Sequence, residues 1–507
     1  MEFIKNFPFF SIILSMFSGI ISSVLGSKAA RRLNTAVIIA VGVMSGATLL
    51  YCLESGSYFV YWMGHFPAPW GNEIRAGVLE GMTALFFCVI MLLSLMGGER
   101  HLKEEVEPAK QNYYYILTDL LLSSLLALVY TNDMFTAYVF VEINTIAACG
   151  LIMIRQTGRT IEAAVRYMIM SLLGSGLLLM GISMLYDLTG HLLMSNIKES
   201  VAMLAAAGQY HIPLMVTIGL LSIGLAIKSA LFPFHSWLAD AYGYSTVSSA
   251  AMLSSLVSKG YIFLLIKIIY RVVGFDVFWD SKIINVLFLF GLAGMIFGSL
   301  SAIKENDIRR MISFSSVAQI GYIYMGIGLG TAAGMVAAIF HILSHAATKS
   351  LLFVAGIGLT DVSHKSRHFA DLTGSAYRNT VAGVTFAVGS LSMVGVPMFS
   401  GFISKLLFSQ AAVINQGKML PALIVLAVST ILNAIYFMKT VIRIYTPLQE
   451  DISSGGEDTV QSKKTDISVR DGIYTAACIA FCALNFWLGT MSQPVVDLIQ
   501  RGLEMFA

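Results

Sequence analysis

The chain has 507 residues, of which 57% are hydrophobic and 12% charged, with a formal net charge of +3 and a mean hydropathy of +0.77. Soluble domains usually carry about 25% charged residues, so this balance excludes a soluble globular enzyme. Lys and Arg sit in short loop clusters rather than in a stripe that could track phosphates, which argues against a nucleic-acid partner. The five cysteines, Cys52, Cys88, Cys149, Cys478 and Cys482, form no C-x-x-C pair; they read as small buried thiols, not as cluster or zinc ligands.

The start, Met1–Pro8, runs straight into a full-length apolar span and does not read as a cleaved signal peptide. Stretches long enough to cross a bilayer then recur to the end of the chain. They predict an all-α polytopic membrane protein with about 14 transmembrane helices, at roughly 8–26, 33–53, 77–97, 114–130, 134–154, 163–186, 213–238, 246–271, 283–302, 312–330, 332–357, 381–410, 420–442 and 472–492.

Loop charges assign the faces. Lys28, Arg31 and Arg32 follow the first span, and Arg155 and Arg159 the fifth. Lys304, Arg309 and Arg310 follow the ninth, Lys365, Arg367 and Arg378 the eleventh, and Arg443, Lys463, Lys464 and Arg470 the thirteenth. These loops share one face, which holds about 18 Lys and Arg against about seven opposite, so it reads as cytoplasmic and both termini as external. The long polar stretch 444–471, with Ser453-Ser454-Gly455-Gly456-Glu457, reads as a flexible cytoplasmic linker. It is too short for a nucleotide domain, and the chain shows no convincing phosphate loop or dinucleotide fingerprint.

The chemistry is expected at the ionisable groups left inside spans, where charge is expensive and faces a polar interior. Glu142 lies near the middle of the fifth span, Lys228 in the seventh, Lys259 in the eighth and Lys405 in the twelfth. His341, His345 and Lys349 fall at i, i+4 and i+8 of the eleventh span and so share one helix face. Lysine suits proton loading, because burial and a nearby carboxylate act on its proton affinity in opposite senses, whereas arginine stays charged. Histidine titrates nearest neutral pH and suits a relay. Moving Glu142 toward or away from Lys228 would load or unload a proton.

Two spans carry an interrupting proline. Pro233 stands in Leu231-Phe232-Pro233-Phe234-His235 and Pro397 in Gly395-Val396-Pro397-Met398. Proline removes a backbone donor and frees a carbonyl, and broken helices in the two halves of a transporter mark its ion site. The lysine precedes the proline in one span and follows it in the other. Asp119 and Glu80 lie nearer span ends and suit an anchoring role. A sodium site would draw on carboxylates and freed carbonyls, to which Asp133 and the Pro233 segment could contribute.

At these residues the chain resembles the antiporter-like subunits shared by respiratory complex I, Mrp-type sodium/proton antiporters and membrane-bound energy-converting hydrogenases. Asn132-Asp133-Met134-Phe135 followed by Glu142 looks like the family's fifth-helix motif. Lys228 followed by Phe232-Pro233-Phe234-His235-Ser236-Trp237-Leu238-Ala239-Asp240-Ala241 looks like its seventh-helix signature. Val247-Ser248-Ser249-Ala250 through Lys259, then His341, His345 and Lys349, then Gly395-Val396-Pro397 with Gly401-Phe402 and Lys405, are similar to the eighth, eleventh and twelfth helices.

The resemblance implies two inverted five-helix repeats, 114–271 and 272–443, each with a half-channel. An N-terminal three-helix segment (1–113) would precede them, and a linker with a last helix (444–507) would follow. It also implies a mid-membrane charge row, with Glu142 paired to Lys228, Lys259 connecting and Lys405 terminal; His235 and Asp240 are secondary candidates. Lysine at the terminal position argues against the branch with glutamate there. Pro67-Ala68-Pro69-Trp70-Gly71 resembles the D-type Mrp protein, while Lys259-Gly260-Tyr261 through Arg271 looks more like the hydrogenase relatives.

Family members commonly have proline at Ala239, His or Tyr at Tyr242 and an Ala-Pro pair soon after. Here Gly243-Tyr244-Ser245-Thr246 stands instead, and Glu80 replaces a usual aspartate. The implied function is proton or sodium/proton translocation in the cell membrane, beside other membrane subunits including antiporter-like paralogues and driven by peripheral redox subunits. No catalytic residue, metal site or cofactor is expected in this chain. A self-sufficient antiporter, a quinone-reducing enzyme and an inert scaffold are the competing readings.

Overall fold

The computed structural model describes residues 2–67, 71–447 and 472–506. The expected linker lies almost wholly outside the described residues, as does the middle of the loop from Pro67 to Gly71.

Among the described residues the fold is helical apart from one hairpin. In chain order the helices are α1 (Phe7–Val24), α2 (Ser27–Ser55), α3 (Val78–Glu105), α4 (Gln111–Tyr130), α5 (Met134–Met153), α6 (Gly158–Thr189), α7 (Met194–Ala206), α8 (His211–Lys228) and α9 (Leu238–Tyr244). A continuous helical stretch, α10 (Val247–Val273), follows, then α11 (Phe275–Asp280), α12 (Ile283–Lys304), α13 (Ile308–Gly328) and α14 (Ala332–Asp361). The last are α15 (Thr380–Val394), α16 (Ser400–Ile414), α17 (Gln416–Ile444), α18 (Gly472–Thr490) and α19 (Ser492–Phe506). Strands β1 (Phe59–Trp62) and β2 (Glu73–Ala76) pair antiparallel, with Phe59 opposite Ala76.

Among the described residues, twelve helices are long and apolar enough to cross a membrane, and α15 and α16 are shorter apolar helices. The chain is a multi-pass membrane protein. Helices suit this role because a bilayer offers backbone groups no partner.

Local chemistry sets the ends of these helices. Asp133 caps α5 by accepting the Thr136 amide at 2.7 Å, and Thr331 caps α14 through the Gly334 amide at 3.0 Å. Gly56 and Gly190 close α2 and α6 in the left-handed region, at φ of 65° and 70°.

Three helices, α10, α13 and α14, form the centre, and α13 is buried along nearly its whole length. The apolar windows of α10 and α14 are wholly buried, whereas those of α1, α2, α6, α17 and α18 are buried by no more than 39%. The outer helices turn Ile169, Leu172 and Ile431 outward, as expected where lipid rather than protein surrounds a helix. Gly174 of α6 and Gly224 of α8 let those helices touch, since a Cβ on either would stand 2.8 Å from the other's carbonyl oxygen.

The structure adds elements that hydropathy did not anticipate. Helix α7 lies between the sixth and seventh expected spans. Helix α19 buries Val495, Ile499, Leu503 and Phe506 against the bundle and leaves Gln493 and Arg501 outside. The expected span 213–238 is not one helix: α8 stops at Lys228 and α9 starts at Leu238, with Pro233 between them. Helices α15 and α16 are likewise separate, with Pro397 between Val394 and Ser400.

Candidate ion path

Helix α5 carries Glu142 toward α6 and α8. Its carboxylate accepts a short hydrogen bond from Ser175 of α6 and lies 3.5 Å from the Lys228 ammonium. Lys228 is wholly buried at the last residue of α8, while the Glu142 side chain keeps 26% exposure. A cation at a helix C-terminus meets the negative end of the helix dipole, which favours lysine where α8 breaks off.

The Lys228 ammonium also donates to Thr145 Oγ1 at 2.8 Å. From there Thr145 meets the Tyr261 hydroxyl at 3.3 Å, Tyr261 donates to Asn144 at 3.1 Å, and Asn144 donates to Ser124 at 2.9 Å. Tyr261 belongs to α10, and its ring centroid is 5.5 Å from the ammonium. The network therefore ties α4, α5, α8 and α10 together around one lysine.

Lys259 lies two residues before Tyr261 and is buried completely. Its ammonium donates to the Ser254 carbonyl inside a π-helical turn, Leu253–Val257. Such turns widen the helix and cluster at functional sites.

On α14 the three expected groups line one face. The His341 and His345 rings lie 5.8 Å apart and nearly parallel, at 10°. His341 Nδ1 pairs with Ser404 of α16 at 2.6 Å. Both nitrogens of His345 are buried with no hydrogen-bond partner among the described residues. Buried polar groups of this kind are ordinarily met by internal water.

Lys349 is wholly buried and donates to the Ile312 carbonyl at 2.9 Å and to Ser315, so it does not reach for the surface. Lys405 of α16 turns back on α15, giving hydrogen bonds of 3.2 and 2.6 Å to the Met393 and Val394 carbonyls. It thus closes the C-terminal end of α15 from the next helix.

The structure brings Glu142 to Lys228 and sets His341 against Ser404, the residue before Lys405; Lys259 bonds instead to the Ser254 carbonyl, and Lys349 to Ile312 and Ser315. The secondary candidates sit in other settings. Asp133 is the cap of α5. Asp240 is ion-paired to Arg166 at 2.8 Å and to Arg310. His235 stacks on Phe232 with centroids 5.3 Å apart.

Two buried cations, Lys267 and Arg271, were not expected inside the bundle, and Glu80 and Asp119, expected as anchors near span ends, are fully buried. Lys267 is fully buried and donates to the Leu128 and Val129 carbonyls at 3.2 and 2.9 Å, at the end of α4. Glu80 and Arg271 form a buried ion pair. Asp119 is also fully buried and accepts from Ser18 and Asn34 at 2.8 and 2.7 Å, joining α4 to α1 and α2. A further chain runs Ser344–Ser400–Asn485–Thr348 across α14, α16 and α18, at 2.8, 3.1 and 2.7 Å. The one available signal was the repeat Lys259, Lys267, Arg271, spaced by multiples of four along α10. Among the described residues no group of three or more His, Cys, Asp or Glu is placed to hold a metal ion.

Ionisable groups in hydrogen-bonded contact between membrane helices are rare and commonly mark an ion path. Residues 131–432 match the family described as NADH:quinone oxidoreductase/Mrp antiporter, membrane region, and the chain belongs to that family. It is an antiporter-like subunit of the kind found in Mrp, complex I or related complexes.

It is 32% identical over 413 residues to the N subunit of NADH-quinone oxidoreductase from Desulforudis audaxviator, covering 81% of this chain and 80% of that one. It is 25% identical over 433 residues to the D subunit of the Na(+)/H(+) antiporter from Alkalihalophilus pseudofirmus, covering 85% and 83%. The fold is shared with a chain of the Mrp complex from Dietzia sp., at a TM-score of 0.85, 24% identity and 99% and 97% coverage. It is equally shared with a chain of the membrane-bound sulfane sulfur reductase, an archaeal respiratory membrane complex, at a TM-score of 0.85, 24% identity and 100% and 98% coverage.

Proposed function

We propose that this chain translocates protons, or exchanges sodium for protons, as the antiporter-like subunit of a multisubunit cell-membrane complex driven by redox chemistry in partner subunits. Energy-converting hydrogenase-like and Mrp-related assemblies are the leading forms. The observation that carries the reading is the Glu142–Lys228 pair, 3.5 Å apart beside the end of a membrane helix. In this scheme Glu142 sets the charge state of Lys228, Lys259 passes the change across α10, and His341, His345 and Lys349 relay it to Lys405. Lysine and histidine favour the proton as the moving ion.

The fourteen crossings of this scheme are the twelve long apolar helices, α13, and the α15–α16 pair counted as one. Two inverted repeats, 114–271 and 272–443, supply the half-channels, and the breaks at Pro233 and Pro397 mark their centres. Both termini are external, because the cation-rich loops face the cytoplasm.

Relatedness to both quinone oxidoreductase and sodium/proton antiporter subunits keeps two other assemblies in view: a redox-independent Mrp-type antiporter and a complex I pump. Mass spectrometry of the complex purified gently through a tag on this chain separates them. Hydrogenase-like subunits support the leading form and NADH- or quinone-linked subunits the complex I form. Small Mrp-type membrane subunits alone would identify the redox-independent antiporter. Recovery of the chain alone, with ion exchange intact, overturns the need for partners.

A further inference from the structure

The segment Gly243-Tyr244-Ser245-Thr246 lies under a cluster of arginines. Three of them hold its backbone. Arg155 donates to the Tyr244 carbonyl at 3.0 Å, Arg367 donates to the Gly243 carbonyl at 2.7 Å, and Arg309 donates to the Ser245 carbonyl at 2.5 Å. The Tyr244 ring is itself surrounded. The guanidinium groups of Arg159, Arg310 and Arg367 stand 5.5, 5.8 and 5.8 Å from its centroid.

Above this ring opens a cleft of about 440 Å³, lined by Arg159, Lys304, Arg310, Lys365, Arg367 and His368, with Glu305 and Asp307 as its carboxylates. The carboxylates are already engaged. Glu305 pairs with Arg310 at 3.1 Å and Asp307 with Arg367 at 3.5 Å, while Lys365 reaches out to Glu104 at 3.1 Å. Arg159 and Lys304 have no hydrogen bond or ion pair among the described residues, so the cleft keeps uncompensated positive charge. Arginine with lysine in a concave polar site is the donor set that recognises phosphate oxygens.

The position of the cleft selects the source of that phosphate. It sits where α6 begins and where α12 ends, the helix ends that meet the headgroup region in the proposed topology. From Lys304 an apolar strip leads back along its own face of α12. Leu300 and Phe297, four and seven residues before it, are both exposed. A soluble anion has no use for such a strip, whereas an acyl chain would cover it. We propose that this cleft seats the phosphate headgroup of an anionic phospholipid, with Arg159 and Lys304 as its free cations. Basic clefts between membrane helices on the cation-rich side are suited to such headgroups.

The test uses the full chain in the complex in which it is purified. The protein is delipidated in detergent, offered equimolar dioleoylphosphatidylglycerol and dioleoylphosphatidylcholine, and the retained lipid is counted by mass spectrometry. The wild type should retain phosphatidylglycerol preferentially. Arg159→Gln with Lys304→Gln should weaken that retention about thirtyfold, roughly fivefold per cation near a membrane surface. These side chains make no hydrogen bond among the described residues, and an unchanged gel-filtration profile verifies the fold.

Lys28→Gln with Arg32→Gln removes two cations of the same face outside the cleft, and should leave retention unchanged. Equal loss in both double variants would reduce the effect to diffuse surface charge and overturn the proposal. Equal retention of the two lipids by the wild type would do the same. Full competition by millimolar inorganic phosphate would replace the lipid by a soluble anion. A photo-crosslinker at Asn306 that captures an acidic segment of a partner protein instead of lipid would also overturn the assignment.

Discussion

Lys405 closes a helix to which it does not belong: its ammonium lies 2.6 Å from the Val394 carbonyl, at the end of α15, while its own backbone sits in α16. One side chain thus combines a structural task with the proposed transport task, and arginine separates them. Lys405→Arg keeps a permanent cation over the Met393 and Val394 carbonyls. It should fold as the wild type does, with transport reduced by at least about tenfold, which corresponds to about 1.4 kcal/mol. Lys405→Ala should lose transport and also about 1 kcal/mol of stability, a hydrogen bond's worth. Proton uptake into proteoliposomes with a melting curve on each variant checks both. Full transport by Lys405→Arg would show that its contribution is charge alone.

Glu142→Gln leaves the buried Lys228 without its carboxylate but preserves shape and the Ser175 contact. Assembly should persist while coupled transport falls by about tenfold or more, because the charge that sets the state of Lys228 is gone. Subunit recovery after purification and ion flux are the readouts. Normal flux would make the pair structural.

The buried Glu80–Arg271 pair should behave differently. Arg271→Met strands a carboxylate in the core and should destabilise the protein by about 3–5 kcal/mol, as breaking one partner of a buried pair does. Adding Glu80→Gln should recover part of that loss, since the stranded charge is removed. Thermal unfolding of the single and double variants decides. A double variant no more stable than the single would mean that Arg271 acts through packing on Phe506, whose ring centroid lies 3.8 Å from its guanidinium carbon.

Gly401 governs how α16 leaves α15. A Cβ there would stand 1.8 Å from the Ser392 carbonyl oxygen, so Gly401→Ala must push the helices apart. Overpacking of this kind costs about 1–3 kcal/mol, and it should also draw Lys405 off its carbonyls. Lower thermal stability together with reduced ion flux is the expected outcome. Wild-type flux in a destabilised variant would show that the junction tolerates movement.

Much of the fold was legible in the sequence because membrane helices announce themselves locally. The apolar runs at 134–154 and 283–302 correspond to α5 and α12 within two residues at each end. The i, i+4, i+8 spacing of His341, His345 and Lys349 placed them on one face, and the histidine rings lie nearly parallel. Lys267 and Arg271 were overlooked because they stand near the end of a span, where a charge normally reaches water. The fold covers them with the end of α4, the start of α3 and Phe506 of α19. Helix α19 was missed because its amphipathic pattern is too short and too polar for a membrane criterion.

The sequence by itself determined that the chain crosses the membrane many times, which family it belongs to, and which ionisable residues lie in apolar helices. Those properties follow from the order of residues along single helices, where hydropathy and the helical period act over a few turns. Only the tertiary structure decided which charges meet: Lys228 with Glu142 and Thr145, Lys405 with the end of α15, and Arg271 with Glu80. Those partners lie from 11 to 191 residues apart in sequence. Their approach depends on small residues such as Gly174 and Gly224 letting helices touch, and that condition is met only when the whole bundle packs.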